Sequence, residues 1–140
     1  MATTALRKPE PRAPLVLIVD DEPDVRDMMR DLFEGEGYLV ESAEDGQDAL
    51  EKLESIGRPS VILLDLMMPR MSGNAFLEAA RKKRPEMSRV PVVVITGYAQ
   101  MMLAAQAVTR VLQKPVDLSA LLAIVRGYCE PRGAGASLHR

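Results

Sequence analysis

Short apolar runs alternate along the chain with longer segments in which apolar positions recur every three or four residues. The runs cover residues 15–19, 39–40, 61–64, 92–95 and 111–112. Most of their side chains are β-branched or leucine, which is typical of strands, and three of the runs are apolar enough to be buried on both faces of a sheet. The pattern therefore predicts five strands.

The segments between these runs predict helices. From Val25 to Phe33 the apolar residues fall at i, i+3, i+4, i+7 and i+8, and Pro23 suits the first turn of such a helix. Similar patterns predict helices around 49–53 after an Asp45 cap, around 76–80 after Gly73, and around 118–125 after an Asp117 cap. A weaker and shorter pattern covers 99–108. Five β-α repeats of this kind favour an α/β fold with a parallel sheet and helices on both faces.

Length and local composition predict a single domain between two flexible ends. The chain has 140 residues, which is enough for one domain and too few for two of ordinary size. Residues 1–14 are rich in proline and charge, and residues 131–140 contain several small residues. We expect a flexible arm at 1–14, a folded domain at 15–130 and a flexible tail at 131–140.

The residue counts exclude several functional classes. One cysteine and one histidine, His139 in the tail, exclude an internal disulfide, a cysteine-clustered zinc site and a multi-histidine metal site. A net charge of −2 and the absence of tryptophan argue against direct nucleic-acid binding. The first 14 residues lack the apolar stretch of a signal peptide, and a strand followed by a helix explains the uncharged stretch 90–109 better than a membrane span. We therefore expect a cytoplasmic protein that does not bind membranes.

Polar side chains capable of chemistry follow four of the five predicted strands. Asp20 and Asp21 follow the first strand, Asp65 the third, Thr96 the fourth and Lys114 the fifth. The carboxyl ends of parallel strands meet at one edge of the sheet, where ligands bind in open sheets. We therefore expect three carboxylates, a hydroxyl and an ammonium group in one pocket.

This set of groups suits phosphoryl transfer. Three neighbouring carboxylates repel one another, and a divalent cation with oxygen ligands, such as Mg²⁺, relieves the repulsion. A metal ion and a lysine balance the charge of a phosphoryl group, and a hydroxyl donates a hydrogen bond to it. A carboxylate can serve as the nucleophile and become an aspartyl phosphate.

The residues at the strand ends also form four short motifs in a definite order. They are Val-Asp-Asp-Glu at 19–22, Asp-Leu-Met-Met-Pro-Arg-Met-Ser-Gly at 65–73, Thr-Gly at 96–97 and Lys-Pro at 114–115. With these motifs the chain resembles the receiver domains of two-component response regulators over about 15–129. The resemblance implies a flavodoxin-like, doubly wound fold with strand order 2-1-3-4-5.

The resemblance also implies an acceptor and a metal site. Asp65 corresponds to the phospho-acceptor. Asp20, Asp21 and Asp65, with the backbone carbonyl of Met67, correspond to the ligands of Mg²⁺ or Mn²⁺. Because bulky side chains beside the acceptor can exclude water, Met67 and Tyr98 are expected to prolong the phosphorylated state.

The remaining site positions concern the switch. By resemblance, Lys114 bonds to a phosphoryl oxygen and is followed by a cis peptide bond to proline. Thr96 corresponds to the hydroxyl that closes on the phosphoryl group, and Gly97 and Tyr98 lie beside that group. The family usually has Tyr or Phe three positions before the lysine, but Val111 occupies that position here. A valine has no ring to rotate inward, so the usual coupling between threonine and aromatic ring is in doubt.

The fourth predicted helix departs from the family as well. Thr96 and Lys114 are 18 positions apart, about one helical turn fewer than the family leads us to expect, so this helix should be shortened. The segment 97–109 carries no charge and includes Met101, Met102 and Leu103. These side chains either form an exposed binding patch or pack on the fourth and fifth strands.

The leading functional hypothesis is a stand-alone receiver domain. It would accept a phosphoryl group on Asp65 from a histidine kinase or a histidine phosphotransfer protein, catalyse that transfer itself and signal through protein contacts. It would be a monomer, or a weak homodimer through the fourth helix, fifth strand and last helix. The alternative is a phosphorylation-independent adaptor of the same fold. An aspartyl phosphatase is disfavoured because Met67 replaces the second aspartate that such enzymes use as the general acid.

Overall fold

The strands and helices follow one another in the alternation that the apolar pattern predicts. A computed structural model describes residues 13–97 and 108–129. The strands are β1 (Leu15–Val19), β2 (Leu39–Ala43), β3 (Val61–Leu64), β4 (Val92–Thr96) and β5 (Arg110–Gln113). The helices are α1 (Pro23–Gly35), α2 (Gly46–Ile56), α3 (Gly73–Lys83) and, near the C-terminus, α4 (Leu118–Cys129), with a short 3-10 helix at Pro85–Arg89.

Several segments predicted from the sequence lie outside the described residues. The predicted fourth helix at 99–108, except for its last residue, lies outside the described residues, and so does Tyr98. The same holds for nearly all of the arm 1–14 and for the tail 131–140. Within the described parts, no helix combines the length and the apolar character needed to cross a bilayer.

The five strands form one parallel sheet in the order β2-β1-β3-β4-β5. This order confirms the one that the resemblance implies. It places β1 beside β3, and their register pairs Val19 with Leu64. The residue that follows each of these two strands is therefore an aspartate at the same edge of the sheet.

The apolar side chains of the sheet pack into two layers, one on each face. Leu17 and Leu64 point toward α2 and α3, where they pack with Phe76. Ile18 points to the opposite face, where α1 and α4 cover the sheet and contribute Phe33, among other side chains. Helices thus cover both faces, and β1, β3 and β4 are almost completely buried, as their apolar sequences predict.

Side-chain caps fix the starts of three helices. Asp45 accepts a hydrogen bond from the backbone N–H of Asp48 at 2.8 Å, and Asp117 accepts one from Ser119 at 3.0 Å. Both predicted caps are confirmed. Ser72 caps α3 in the same way, and the sequence analysis did not identify it.

The two edge strands are longer than predicted. β2 continues through Glu41 and Ser42 to Ala43, and β5 begins at Arg110 and ends at Gln113. An edge strand has one neighbour and stays partly exposed, so polar residues can occupy it without disturbing its hydrogen bonds. Because the strands were predicted from apolar runs, the polar residues at the ends of β2 and β5 were left out of the prediction.

Candidate functional site

The carboxyl edge of the sheet brings the predicted polar residues together. Asp20 and Asp65 directly follow β1 and β3, Thr96 ends β4, and Lys114 directly follows β5. Backbone hydrogen bonds fix their positions: Asp65 N–H donates to the Val19 carbonyl at 2.9 Å, and Lys114 N–H donates to the Thr96 carbonyl at 2.9 Å. Asp20, Asp65 and Thr96 are all buried.

Three aspartates form a cluster of oxygen donors at this edge. Asp20, Asp21 and Asp65 each offer a carboxylate oxygen, and these oxygens lie within 4.8 Å of one another. Asp20 and Asp65 are buried, whereas Asp21 is exposed. Hard oxygen donors at this spacing fit a divalent cation such as Mg²⁺. The cluster is the one predicted from the strand ends.

The Asp65 carboxylate is held by three donors. Its Oδ1 accepts hydrogen bonds from Thr96 Oγ1 at 3.2 Å and from the Met67 backbone N–H at 3.2 Å. Its Oδ2 accepts one from Lys114 Nζ at 3.2 Å. These contacts fix both oxygens at the carboxyl edge of the sheet, close to the carboxylates of the other two aspartates.

Lys114 contacts three carboxylates at once. Its Nζ lies 2.8 Å from Glu22, 3.1 Å from Asp20 and 3.2 Å from Asp65. Burial by itself would lower the pKa of Lys114, but the hydrogen bond to Glu22 and the attraction of the two aspartates outweigh burial and raise that pKa. The ammonium is therefore charged at any physiological pH. The sequence analysis placed Glu22 in a motif but did not predict its contact with Lys114.

The burial of Asp20 affects the pKa of its carboxyl group. Loss of hydration raises the pKa of Asp20 above the ordinary value of 3.8, although the hydrogen bond from the Glu22 backbone N–H and the charge of Lys114 act in the opposite direction. The charged carboxylate is thus less stable in the folded protein than in water. In the absence of a metal ion, Asp20 destabilises the fold near neutral pH.

Asp20→Asn should therefore stabilise the metal-free protein. We expect the free energy of unfolding at pH 7 in EDTA to rise by about 1 kcal/mol, a typical single-residue effect. A raised pKa in the folded state means that the folded protein binds the proton more tightly. The advantage of the variant should therefore shrink as pH falls through the pKa of Asp20 toward 3.8. Urea unfolding between pH 4 and pH 7 measures this.

The control is Asp31→Asn, which removes an exposed carboxylate on α1. Its effect on the free energy of unfolding should stay within about 0.5 kcal/mol. If Asp20→Asn lowers stability at pH 7 instead, charged Asp20 stabilises the metal-free fold through Lys114.

The loop from β3 to α3 is tightly packed beneath the site. Gly73 N–H donates to the Leu66 carbonyl at 3.0 Å. A Cβ at Gly73 would lie 2.6 Å from the backbone carbonyl oxygen of Asp65. Arg70 adopts a positive φ of 65° and forms an ion pair with buried Asp45 at the start of α2. The Arg70–Asp45 pair was not predicted, because the two residues are distant in sequence and no periodic pattern relates them.

The predicted switch and flanking positions are placed as follows. Val111 pairs with Val94 in the sheet and packs, partly buried, against the apolar layer under α2 and α3. Gly97 directly follows Thr96, and Met67, two positions after Asp65, is 54% exposed. The Lys114–Pro115 peptide bond is cis, as the resemblance implies.

Comparisons with known proteins support the family that the sequence motifs suggest. The model of the response regulator receiver domain family matches residues 16–126. An uncharacterised 14.6 kDa protein of Leptolyngbya boryana is 35% identical over 119 residues, which cover 81% of this chain and 88% of that protein. Receiver relatives of about this length therefore exist. The chain also spans 26% and 24% of two longer regulatory proteins and 13% of a sensor histidine kinase.

Two solved structures share the architecture. The chemotaxis protein CheY4 of Vibrio cholerae is 30% identical with a TM-score of 0.73, covering 83% of this chain and 98% of that one. The response regulator TrrA of Thermotoga maritima, in complex with Mg²⁺ and BeF, is 28% identical with a TM-score of 0.70, covering 82% and 98%. Receiver domains generally bind Mg²⁺ at an acidic pocket, and an aspartate cluster is present in this chain. The chain belongs to the family of response regulator receiver domains of two-component systems.

Proposed function

We propose that this chain is a phosphorylatable switch whose acceptor is Asp65. The observation that carries the proposal is the environment of that carboxylate. It is nearly buried, both its oxygens are bound by donors, and two further aspartates and Lys114 lie beside it. A buried carboxylate with this much neighbouring negative charge suits a reaction in which metal and lysine charges offset an incoming phosphoryl group.

The proposed reaction moves one phosphoryl group. A carboxylate oxygen of Asp65 attacks phosphorus, and the new O–P bond makes an acyl phosphate. With a phosphohistidine donor the P–N bond breaks and its electron pair stays on the imidazole nitrogen. With acetyl phosphate the P–O bond breaks and acetate leaves. Lys114 provides a fixed positive charge beside the acceptor, and Thr96 a hydroxyl that can turn from Asp65 to a phosphoryl oxygen.

A divalent cation belongs to the proposed site. Asp20, Asp21, Asp65 and the backbone carbonyl of Met67 would hold Mg²⁺ or Mn²⁺. The bound ion would offset the charge of the carboxylates and of the transferred group. Oxygen donors within 4.8 Å of one another support this assignment.

The proposed partners are proteins. A sensor histidine kinase or a histidine phosphotransfer protein would supply the phosphoryl group, and a protein contact would carry the output. Adding about two negative charges beside Thr96 would shift a two-state equilibrium. Because Val111 has no aromatic ring, the output would not depend on the ring rotation that is usual in the family. A weak homodimer through the fourth predicted helix, β5 and α4 is compatible with this proposal.

Acetyl phosphate tests the proposal directly. Incubated with the donor and Mg²⁺, the protein should gain the mass of one phosphoryl group, seen by intact-mass spectrometry. EDTA should prevent the gain, because the carboxylates would then repel the anionic donor without compensation. Binding of Mg²⁺ without any adduct would contradict the proposal and favour the phosphorylation-independent adaptor. The adaptor function is favoured by Val111, which stands where the family usually has an aromatic residue.

A further inference from the structure

Three carboxylates share the Lys114 ammonium in this structure, Glu22 and Asp65 through hydrogen bonds and Asp20 through an ion pair. An ammonium group has three donors and no acceptor. Its three partners are Glu22 at 2.8 Å, Asp20 at 3.1 Å and Asp65 at 3.2 Å. A phosphoryl group on Asp65 would take over the contact between Asp65 and Lys114, and it would then share the ammonium with Glu22 and Asp20.

Burial decides which of the two other carboxylates gives up the ammonium more easily. The Asp20 side chain is 2% exposed, so losing the cation would leave a buried carboxylate uncompensated. The Glu22 side chain is 57% exposed. Water can take over the hydrogen bonds of Glu22 at little cost.

Within the described parts of the chain, the Glu22 side chain forms its hydrogen bond and ion pair with Lys114 alone. It stands at the N-cap position of α1, yet its side chain makes no capping hydrogen bond. Its backbone N–H, which any residue would supply, donates to Asp20 Oδ1 at 2.9 Å. The position of the side chain thus serves the contact with Lys114, which lies 92 residues further along the chain.

We propose that Glu22 competes with the phosphoryl group for Lys114 and thereby restrains phosphorylation of this receiver domain. The inference rests on the proposed function of Asp65 and adds a regulating residue to that site. In the unphosphorylated protein, Glu22 holds the ammonium. On phosphorylation the ammonium moves to a phosphoryl oxygen and the Glu22 carboxylate returns to water.

The test compares Glu22→Gln with Asp24→Asn. Gln keeps the size of the side chain and removes its charge. Asp24 is also exposed, lies in the first turn of α1, and is not among the described residues that form a hydrogen bond or ion pair with Lys114. The Asp24 variant therefore measures the effect of deleting a nearby negative charge. The readouts are the affinity for beryllofluoride at saturating Mg²⁺, the phosphorylation rate with acetyl phosphate, and the affinity for Mg²⁺ alone.

We expect Glu22→Gln to bind beryllofluoride about two- to fivefold more tightly than Asp24→Asn does, the size of a typical exposed ion pair. Its phosphorylation rate should rise by a similar factor, and its Mg²⁺ affinity should match that of Asp24→Asn. The gain should vanish when Lys114 is replaced by methionine in both backgrounds, because the competition needs the ammonium.

Three results would overturn the inference. Equal affinities in the two variants would mean that Glu22 acts only through its charge. A gain that persists without Lys114 would exclude competition for the ammonium. Weaker binding of both Mg²⁺ and beryllofluoride by Glu22→Gln would make Glu22 a supporter of the metal site. If the wild-type protein neither binds beryllofluoride nor accepts a phosphoryl group, the proposed function itself fails, and the inference fails with it.

Discussion

Asp65→Asn should abolish the phosphoryl adduct that we expect acetyl phosphate to form with the wild-type protein. The side-chain oxygen of asparagine can still accept the hydrogen bonds from Thr96 and from the Met67 backbone N–H. Its amide nitrogen cannot accept from Lys114, but the ammonium keeps Glu22 and Asp20 as partners, so the local structure should survive. The amide is a far weaker nucleophile than a carboxylate. We expect the rate of adduct formation to fall by about 100-fold or more, as on loss of a nucleophile in other enzymes. Intact-mass spectrometry of both proteins over time measures the change.

Two measurements separate lost chemistry from lost structure. The Tm of Asp65→Asn should not fall below that of the wild type, because the substitution removes one of three clustered carboxylates. Asp31→Asn, on the exposed surface of α1, should be phosphorylated at the wild-type rate. An adduct that persists in Asp65→Asn, mapped by peptide analysis to Asp20 or Asp21, would assign the acceptor role to that neighbour.

The sequence predicted the site best where the chemistry depends only on topology. Asp20, Asp65, Thr96 and Lys114 each end or follow a strand, and parallel strands present those ends at one edge. Recognising the strands was therefore enough to predict that these four residues meet. Their meeting needed no knowledge of how any side chain packs.

Contacts that depend on side-chain reach could not be predicted in this way. Glu22 meets Lys114 because the lysine side chain reaches across the carboxyl edge of the sheet from β5, and Arg70, whose φ is positive, meets Asp45 from the loop after β3. Neither relation leaves a periodic signal in the sequence. The shortened helix at 99–108 and the shielding role of Tyr98 stay predictions, since they fall outside the described residues.

Gly73→Ala should strongly destabilise the protein and disturb the acceptor. A Cβ at this position would lie 2.6 Å from the Asp65 carbonyl oxygen and 3.0 Å from the Leu66 Cα. Both atoms belong to the backbone, so relief of the clash requires the loop that carries Asp65 to move. Overpacking of this kind costs about 1–3 kcal/mol, and we expect the upper end because no flexible side chain can yield. The corresponding fall in Tm is roughly 10 °C.

Gly127→Ala is the matched control, since it makes the same chemical change inside α4. A Cβ there meets no atom within 4 Å. In a helix interior, alanine is more favourable than glycine by about 1 kcal/mol. Gly127→Ala should therefore raise Tm slightly and leave phosphorylation unchanged. Gly73→Ala should lower Tm and also slow adduct formation, because the displaced carbonyl belongs to Asp65, the proposed acceptor. If Gly73→Ala unfolds at the wild-type temperature and is phosphorylated normally, the loop can yield at little cost. Close packing beneath Asp65 would then not be what orients its carboxylate.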